Sequence, residues 1–177
     1  MIKIFGISLR RNQTLRLFIF VLKLYDISRL FNQCTELSLI RDTFKRSAEV
    51  ELKYRELKGK THVDVLEDMF QTSTMIAVRG KKRDATKYKE ITDGIRAFSS
   101  YVAQGNFSIE AAIVCASHAA YISNLLRNES VFEIKRFDPN VDLSNVQIEG
   151  DFKYLNRLKK GSPEAFFYFK EAIDIYE

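Results

Sequence analysis

The sequence predicts a mainly α-helical protein, folded as a helical bundle in a single domain that spans residues 1–177. Three observations predict this class. The 177 residues include only 7 Gly and 2 Pro, so residues that interrupt helices are scarce. Hydrophobic residues make up 46% of the chain, which is enough apolar surface for one core. Apolar residues also recur every three or four positions over several segments, which is the spacing of a buried helical face.

The N-terminal region predicts a long helical segment, because neither Gly nor Pro occurs from residue 7 to residue 58. The apolar residues of Thr14–Tyr25 fit either a strand or a buried helix, and the length of the segment favours the helix. The alternative is an N-terminal hairpin that turns at residues 10–13, after a short strand at residues 1–9. Further along, the apolar spacing is helical, and Gly59 is a suitable residue to end the segment.

Three helices are predicted in the middle of the chain by their N-cap residues. Thr61 begins the first, with Asp64 in the place of the Glu of a capping box. Asp84 begins the second, after a basic connector. Ser108 begins the third, which extends to residue 127 and carries small side chains on nearly every face. We place this helix at the centre of the bundle, because small side chains let neighbouring helices approach closely.

The C-terminal part predicts an irregular region followed by two short helices. Residues 131–148 are rich in β-forming side chains and contain a proline turn signal, so they form either a small β-hairpin or an ordered loop. Helices are expected at residues 151–160 and 163–177, where Ser162 caps the second helix and Pro163 occupies its first position. The inward face of that helix should carry Phe166, Phe169, Ile173 and Tyr176.

The most concentrated positive charge lies between two predicted helices, in a chain whose net charge is +5. Cations beside an aromatic ring can contact phosphates and stack on an unpaired base. The predicted nucleic-acid-binding residues are Arg79, Lys81, Lys82, Arg83, Lys87, Tyr88 and Lys89. A solvated loop without a ligand is the alternative. Arg10, Arg11, Arg16 and the basic residues of segment 153–160 extend this patch if the fold brings them together.

Four successive aromatic residues, 166–169, turn through about 300° of a helix, so one buried stripe cannot hide them all. Either the C-terminal helix is buried nearly all round, or part of it contacts another chain. Phe167 and Tyr168 are the predicted interface residues. The leading hypothesis is therefore a non-enzymatic interaction or assembly protein that binds a protein partner or itself. Binding of DNA or RNA through the basic segment is the alternative.

A third hypothesis is an enzyme or metal protein with an unfamiliar site. Cys115 and His118 lie one helical turn apart and could form a thiolate–imidazolium pair or offer two metal ligands. Their alanine-rich surroundings favour core packing instead. His62 precedes an acidic group (Asp64, Glu67 and Asp68) that could bind a divalent cation if other helices contributed ligands. Acids in the first turns of a helix are, however, expected from the helix dipole alone.

The sequence contains no Gly-rich phosphate loop, paired-cysteine motif or nucleophile elbow. We therefore predict no catalytic residue, cofactor or metal site. The apolar run at residues 17–22 is far shorter than the roughly 20 residues of a membrane span, so no transmembrane segment is expected. Cys34 and Cys115 lack the spacing of a disulfide framework, which favours reduced thiols and a cytoplasmic location.

Overall fold

The computed structural model describes residues 13–80, 84–102 and 107–177, and the fold of these residues is mainly helical, without a strand among them. The predicted strand at residues 1–9 lies outside the described residues. The ambiguous segment Thr14–Tyr25 is helical. The helices are α1 (Gln13–Phe31), α2 (Leu37–Tyr54), α3 (His62–Ala77), α4 (Ala85–Ser99), α5 (Ile109–Arg127), a 3₁₀ helix (Gly150–Arg157), α6 (Leu158–Gly161) and α7 (Pro163–Tyr176).

Helix α5 lies at the centre of the bundle, as the sequence predicts, and packs against α1, α3 and α7. Every residue from Cys115 to Leu126 is buried. The neighbouring helices reach this close because Ala112, Ala116 and Ala119 are fully buried and small. Among the described helices, α5 alone is long and apolar enough, by length and composition, to cross a membrane, and 78% of its apolar window is buried inside the fold.

Helices α1 and α4 form a second close pair beside α5. A Cβ atom added to Gly94 of α4 would lie 2.7 Å from the carbonyl oxygen of Leu17, so glycine is what allows this approach. Phe98 of α4 packs against both Tyr25 of α1, at 5.5 Å between ring centroids, and Phe107, at 5.0 Å. Aromatic side chains of α1 and α4 thus pack together with Phe107 beside the core.

The long N-terminal helical region is not continuous, because residues 32–36 separate α1 from α2. Arg136, far along the chain, donates hydrogen bonds to the carbonyl oxygens of Phe31 (2.8 Å) and Cys34 (2.6 Å). Phe31 is the last residue of α1 and Cys34 lies in the connector, so the guanidinium adds a charged donor to backbone oxygens at this helix end. The distant guanidinium therefore stabilises a break that neither Gly nor Pro marks.

Helix α2 lies at the edge of the fold, and only Leu37, Ala48 and Leu52 on it are buried. Arg41 attaches it to the C-terminal end of α5. The Arg41 guanidinium donates to the carbonyl oxygens of Leu125 (2.7 Å), Asn128 (2.7 Å) and Val131. A cation at this end of α5 also opposes the negative end of the helix dipole.

Residues 131–149 form an ordered loop, and the β-hairpin alternative is not supported. The hydroxyl of Tyr121 accepts a hydrogen bond from the Lys135 backbone N–H, and the hydroxyl of Tyr168 accepts one from the Phe137 N–H, both at 3.0 Å. Burial raises the pKa of Tyr121 to about 12, so its hydroxyl stays neutral. Core tyrosines thus satisfy backbone groups that a partner strand would pair in a hairpin.

The predicted helix starts at Thr61, Asp84 and Ser108 are confirmed. The Asp84 carboxylate accepts from the Lys87 N–H at 2.9 Å, and the Ser108 hydroxyl accepts from the Ala111 N–H at 3.2 Å. The Thr61 N–H donates to the Asp64 carboxylate at 2.8 Å, so aspartate serves in the capping box.

Two predicted helix-end residues are wrong in detail. Pro163 begins α7 as expected, but the Ser162 side chain makes no capping hydrogen bond. The residue in the left-handed conformation directly after α2 is Glu56, with φ 55°, rather than Gly59. The Leu57 N–H reaches back to the Leu52 carbonyl at 3.0 Å, and this bond closes the helix end with Glu56 in that conformation.

Candidate functional site

The predicted nucleic-acid-binding segment is only partly exposed. Lys81, Lys82 and Arg83 lie outside the described residues. Arg79 and Lys89 are exposed. Arg79 follows α3 with a positive φ of 53°, and its backbone is held by a hydrogen bond from its N–H to the Ile76 carbonyl at 3.0 Å. This hydrogen bond therefore fixes the backbone position of Arg79, from which the side chain extends.

Lys87 and Tyr88 of the predicted segment face the protein. Lys87 is partly buried, its Nζ lies 3.4 Å from the Thr72 hydroxyl, and burial lowers its pKa. The Asp68 carboxyl lies near enough for their charges to interact, and burial raises its pKa. A Cβ atom on Gly80 would lie 2.6 Å from Tyr88 Cβ, so Tyr88 packs against the connector backbone. Both side chains are partly buried and are therefore less accessible to a ligand than Arg79 and Lys89.

The two basic segments of the sequence meet in a cleft of about 350 Å³, which we call the arginine cleft. The Arg157 guanidinium donates to the carbonyl oxygen of Ala77 at 2.7 Å and joins the 3₁₀ helix to the end of α3. Arg79 approaches the same cleft from the connector. Its lining includes Ala77, Arg79, Glu110, Arg157, Gly161 and Ser162.

One acidic side chain, Glu110, lines the arginine cleft. Its Oε1 lies 3.0 Å from Arg79 Nη2, and the side chains of Glu110 and Arg79 are 60% and 50% exposed. The backbone N–H of Glu110 itself is the main group that holds the pKa of this carboxyl below its usual value, with Ser108 and Arg79 contributing. The cleft therefore carries two guanidinium groups against one carboxylate.

A wider groove of about 650 Å³ lies where α2 meets α3, and its lining carries three lysines and two glutamates. Lys60 in this groove is already paired with Asp64 at 2.8 Å. The remaining charged groups of the lining are Lys53, Lys58, Glu49 and Glu56. With Lys60 paired, two lysines and two glutamates of the lining are left, so the groove has no excess of positive charge beyond the Lys60–Asp64 pair.

The aromatic C-terminal helix is mostly buried. Of the predicted inward face, Phe166 and Phe169 are fully buried and Ile173 is 2% exposed, whereas Tyr176 is partly buried and stacks 4.5 Å from the Phe70 ring. Tyr168, predicted as an interface residue, is 3% exposed and packs in the core. Phe167 is partly buried and packs 5.7 Å from the Phe137 ring. An interface through Phe167 therefore stays a prediction, while Tyr168 lies inside the fold.

Cys115 and His118 both point at Ser28 of α1. Ser28 Oγ lies 2.8 Å from His118 Nδ1, and the Ser28 hydroxyl is near enough to the Cys115 thiol to lower its pKa in part against the effect of burial. His118 Nε2 lies 3.2 Å from Glu164 Oε1, without the alignment of a hydrogen bond, and the imidazole stacks 4.8 Å from the Phe31 ring. His118 is 2% exposed. This is a buried polar cluster on which no described cavity opens.

The chemistry of this cluster differs from that of an activated cysteine. A nucleophilic thiol needs a lowered pKa, whereas burial raises the pKa of Cys115. The sequence spacing of Cys115 and His118 revealed their common face, but Ser28 and Glu164 come from other helices and carried no signal. An enzyme or metal role at this pair stays a prediction without supporting geometry in the described residues.

The acidic residues near His62 are distributed among separate partners. Asp64 caps α3, and Asp68 faces Lys87. Glu67 pairs with Arg127 at 2.7 Å and accepts from the Tyr176 hydroxyl at 3.1 Å. In the part of the chain that the structure describes, no group of three metal-ligating side chains occurs.

A further surface feature was not predicted from the sequence. Leu39, Val50 and Tyr54 lie on the face of α2 opposite its buried residues, and they are 61%, 70% and 83% exposed. We call this the outer face of α2. The helical spacing of these residues could have revealed it, but the packed face of the same helix gave the stronger pattern.

No protein-family model matches this sequence, and no curated protein or solved structure matches it.

Proposed function

We propose that this protein binds nucleic acid through the arginine cleft. The observation that carries the proposal is that Arg79 and Arg157, from the two basic segments, line one cavity. A guanidinium is planar, stays charged and presents several N–H donors, which suits it to phosphate oxygens. Arg157 is held in position by its bond to the Ala77 carbonyl, so little side-chain freedom is lost when it binds a ligand.

The charge around the cleft supports the proposal. Lys81, Lys82 and Arg83 follow Arg79 in the sequence, and Lys160 follows Arg157 and is exposed. The net charge of +5 would attract a polyanion at low ionic strength. Both arginines of the cleft therefore belong to basic stretches of the sequence.

The salt dependence of binding tests this proposal. We expect a fluorescein-labelled single-stranded oligonucleotide to bind, with log affinity falling linearly against log salt by about 0.7 per phosphate contacted. Arg79→Ala should weaken binding and reduce that slope by about 0.7, because one phosphate contact is lost. Fluorescence anisotropy at several salt concentrations measures both quantities.

The matched control is Arg96→Ala. Arg96 is also exposed and also paired with a surface carboxylate, Asp93 at 3.2 Å, but it does not line the cleft. It should leave the slope unchanged. The proposal fails if the native protein binds neither single-stranded nor duplex oligonucleotides at low salt, or if Arg96→Ala weakens binding as much as Arg79→Ala.

Self-association is the second candidate function, and the outer face of α2 is the observation that favours it. Three large apolar side chains remain exposed along one helix, and the same face is available on every copy of the chain. Light scattering after size exclusion should show an oligomer that Val50→Glu dissociates and that Val141→Glu, at an exposed valine outside α2, leaves intact. A native protein that elutes as a monomer at every concentration contradicts this candidate.

A further inference from the structure

The arginine cleft contains a carboxylate at the position where a phosphate would approach Arg79. Glu110 Oε1 lies 3.0 Å from Arg79 Nη2. A carboxylate and a phosphate both offer negatively charged oxygens to a guanidinium, so both compete for the same N–H donors. Arg157 differs, because its guanidinium donates to the neutral carbonyl of Ala77 rather than to an acid.

We infer that Glu110 is a built-in competitor that occupies Arg79 in the free protein and is displaced when a ligand phosphate binds. The inference rests on the proposed function. It identifies Arg79 and Arg157 as one phosphate subsite, in which Arg157 is positioned in advance and Arg79 becomes available by exchange. The ligand class is a phosphate ester of a nucleic acid backbone.

The exposure of the pair makes such an exchange feasible. Both side chains are at least half exposed, and ion pairs between exposed side chains contribute little to stability. The Arg79 backbone, by contrast, is fixed by the hydrogen bond from the Gly80 N–H to the Met75 carbonyl at 3.2 Å. The guanidinium can therefore change partner while the residue that carries it stays in place.

Glu110→Gln tests the inference, because it removes the charge and keeps the size of the side chain. We expect the affinity for the labelled oligonucleotide to rise about two- to fivefold, the range of a surface ion pair that no longer has to be broken. In an Arg79→Ala background the same substitution should give no gain, since the competed group is absent. Thermal unfolding followed by circular dichroism checks that each variant is folded.

Asp93→Asn is the matched control for net charge. It removes one carboxylate from another exposed Arg–acid pair, that of Arg96 and Asp93, outside the cleft. The inference is overturned if Glu110→Gln raises affinity no more than Asp93→Asn, or if the gain persists with Arg79→Ala. In those cases binding by the native protein still supports the proposed function. If neither the native protein nor Glu110→Gln binds, both fall together.

Discussion

Helices α5 and α2 are almost equal in length, with 19 and 18 residues, yet they have opposite roles in the fold. From Cys115 to Leu126 every residue of α5 is buried, whereas only Leu37, Ala48 and Leu52 of α2 are. Alanines let other helices surround α5 closely. Charged side chains cover much of α2, and one arginine attaches it to the end of α5. Helical spacing alone therefore does not reveal how deeply a helix is buried.

The difference in burial between α5 and α2 also distinguishes residues that stabilise the fold from residues that can contact a partner. A helix that is buried on every side has no surface to offer a partner, and its substitutions are felt as lost packing. A helix that packs along one face keeps the rest of its surface free. The outer face of α2 follows this rule, and α5 lines the arginine cleft only through Glu110 and Ile113, which precede its fully buried stretch.

The largest expected effect comes from shortening a side chain on α5. Leu125 is fully buried, so Leu125→Ala should lower the free energy of unfolding by about 2–5 kcal/mol. Leu39→Ala on the outer face of α2 should change it by about 0.5 kcal/mol or less, because Leu39 is 61% exposed. Urea denaturation of both variants measures the contrast. Equal losses would mean that α2 is packed as tightly as α5.

A smaller effect is expected from substituting Arg41, which joins α2 to the C-terminal end of α5. Arg41→Met should lower the free energy of unfolding by about 1–3 kcal/mol, because the carbonyls of Leu125 and Asn128 lose their charged donor. Arg46→Met, an exposed position on the same helix, is the control and should be nearly neutral. Urea denaturation of both variants measures these changes. If Arg41→Met and Arg46→Met lower the free energy of unfolding equally, Arg41 is not the group that attaches α2 to α5.

The smallest effect concerns the start of α3, which connects α2 to the core. Hydrogen bonds from Lys60 and Thr61 lower the pKa of Asp64 to about 2. Because the folded pKa lies below the unfolded value, the stabilisation is present above about pH 4 and is lost as the pH falls toward 2. Asp64→Ala should cost about 0.3–1.5 kcal/mol at neutral pH. Thermal melts at several pH values should show this difference vanish in acid, and a constant difference would contradict the assignment.

The sequence by itself determined the helical class, the central position of α5 and the starts of α3, α4 and α5. These features depend on local chemistry, since an N-cap residue bonds within its own helical turn and the apolar spacing repeats within one segment. The inward face of α7 was predictable for the same reason. The basic residues of both segments were also recognised, although their meeting in one cleft was not.

Only the tertiary structure decided the features whose partners lie far apart in the chain. The break after Phe31 depends on Arg136, and the loop at residues 131–149 replaces a hairpin because Tyr121 and Tyr168 bond its backbone. Tyr168, whose hydroxyl accepts from the Phe137 N–H, is buried in the core rather than exposed to a partner. The arginine cleft exists because Arg157 reaches the end of α3. A backbone group accepts whichever donor the fold brings near it, and local sequence does not specify that donor.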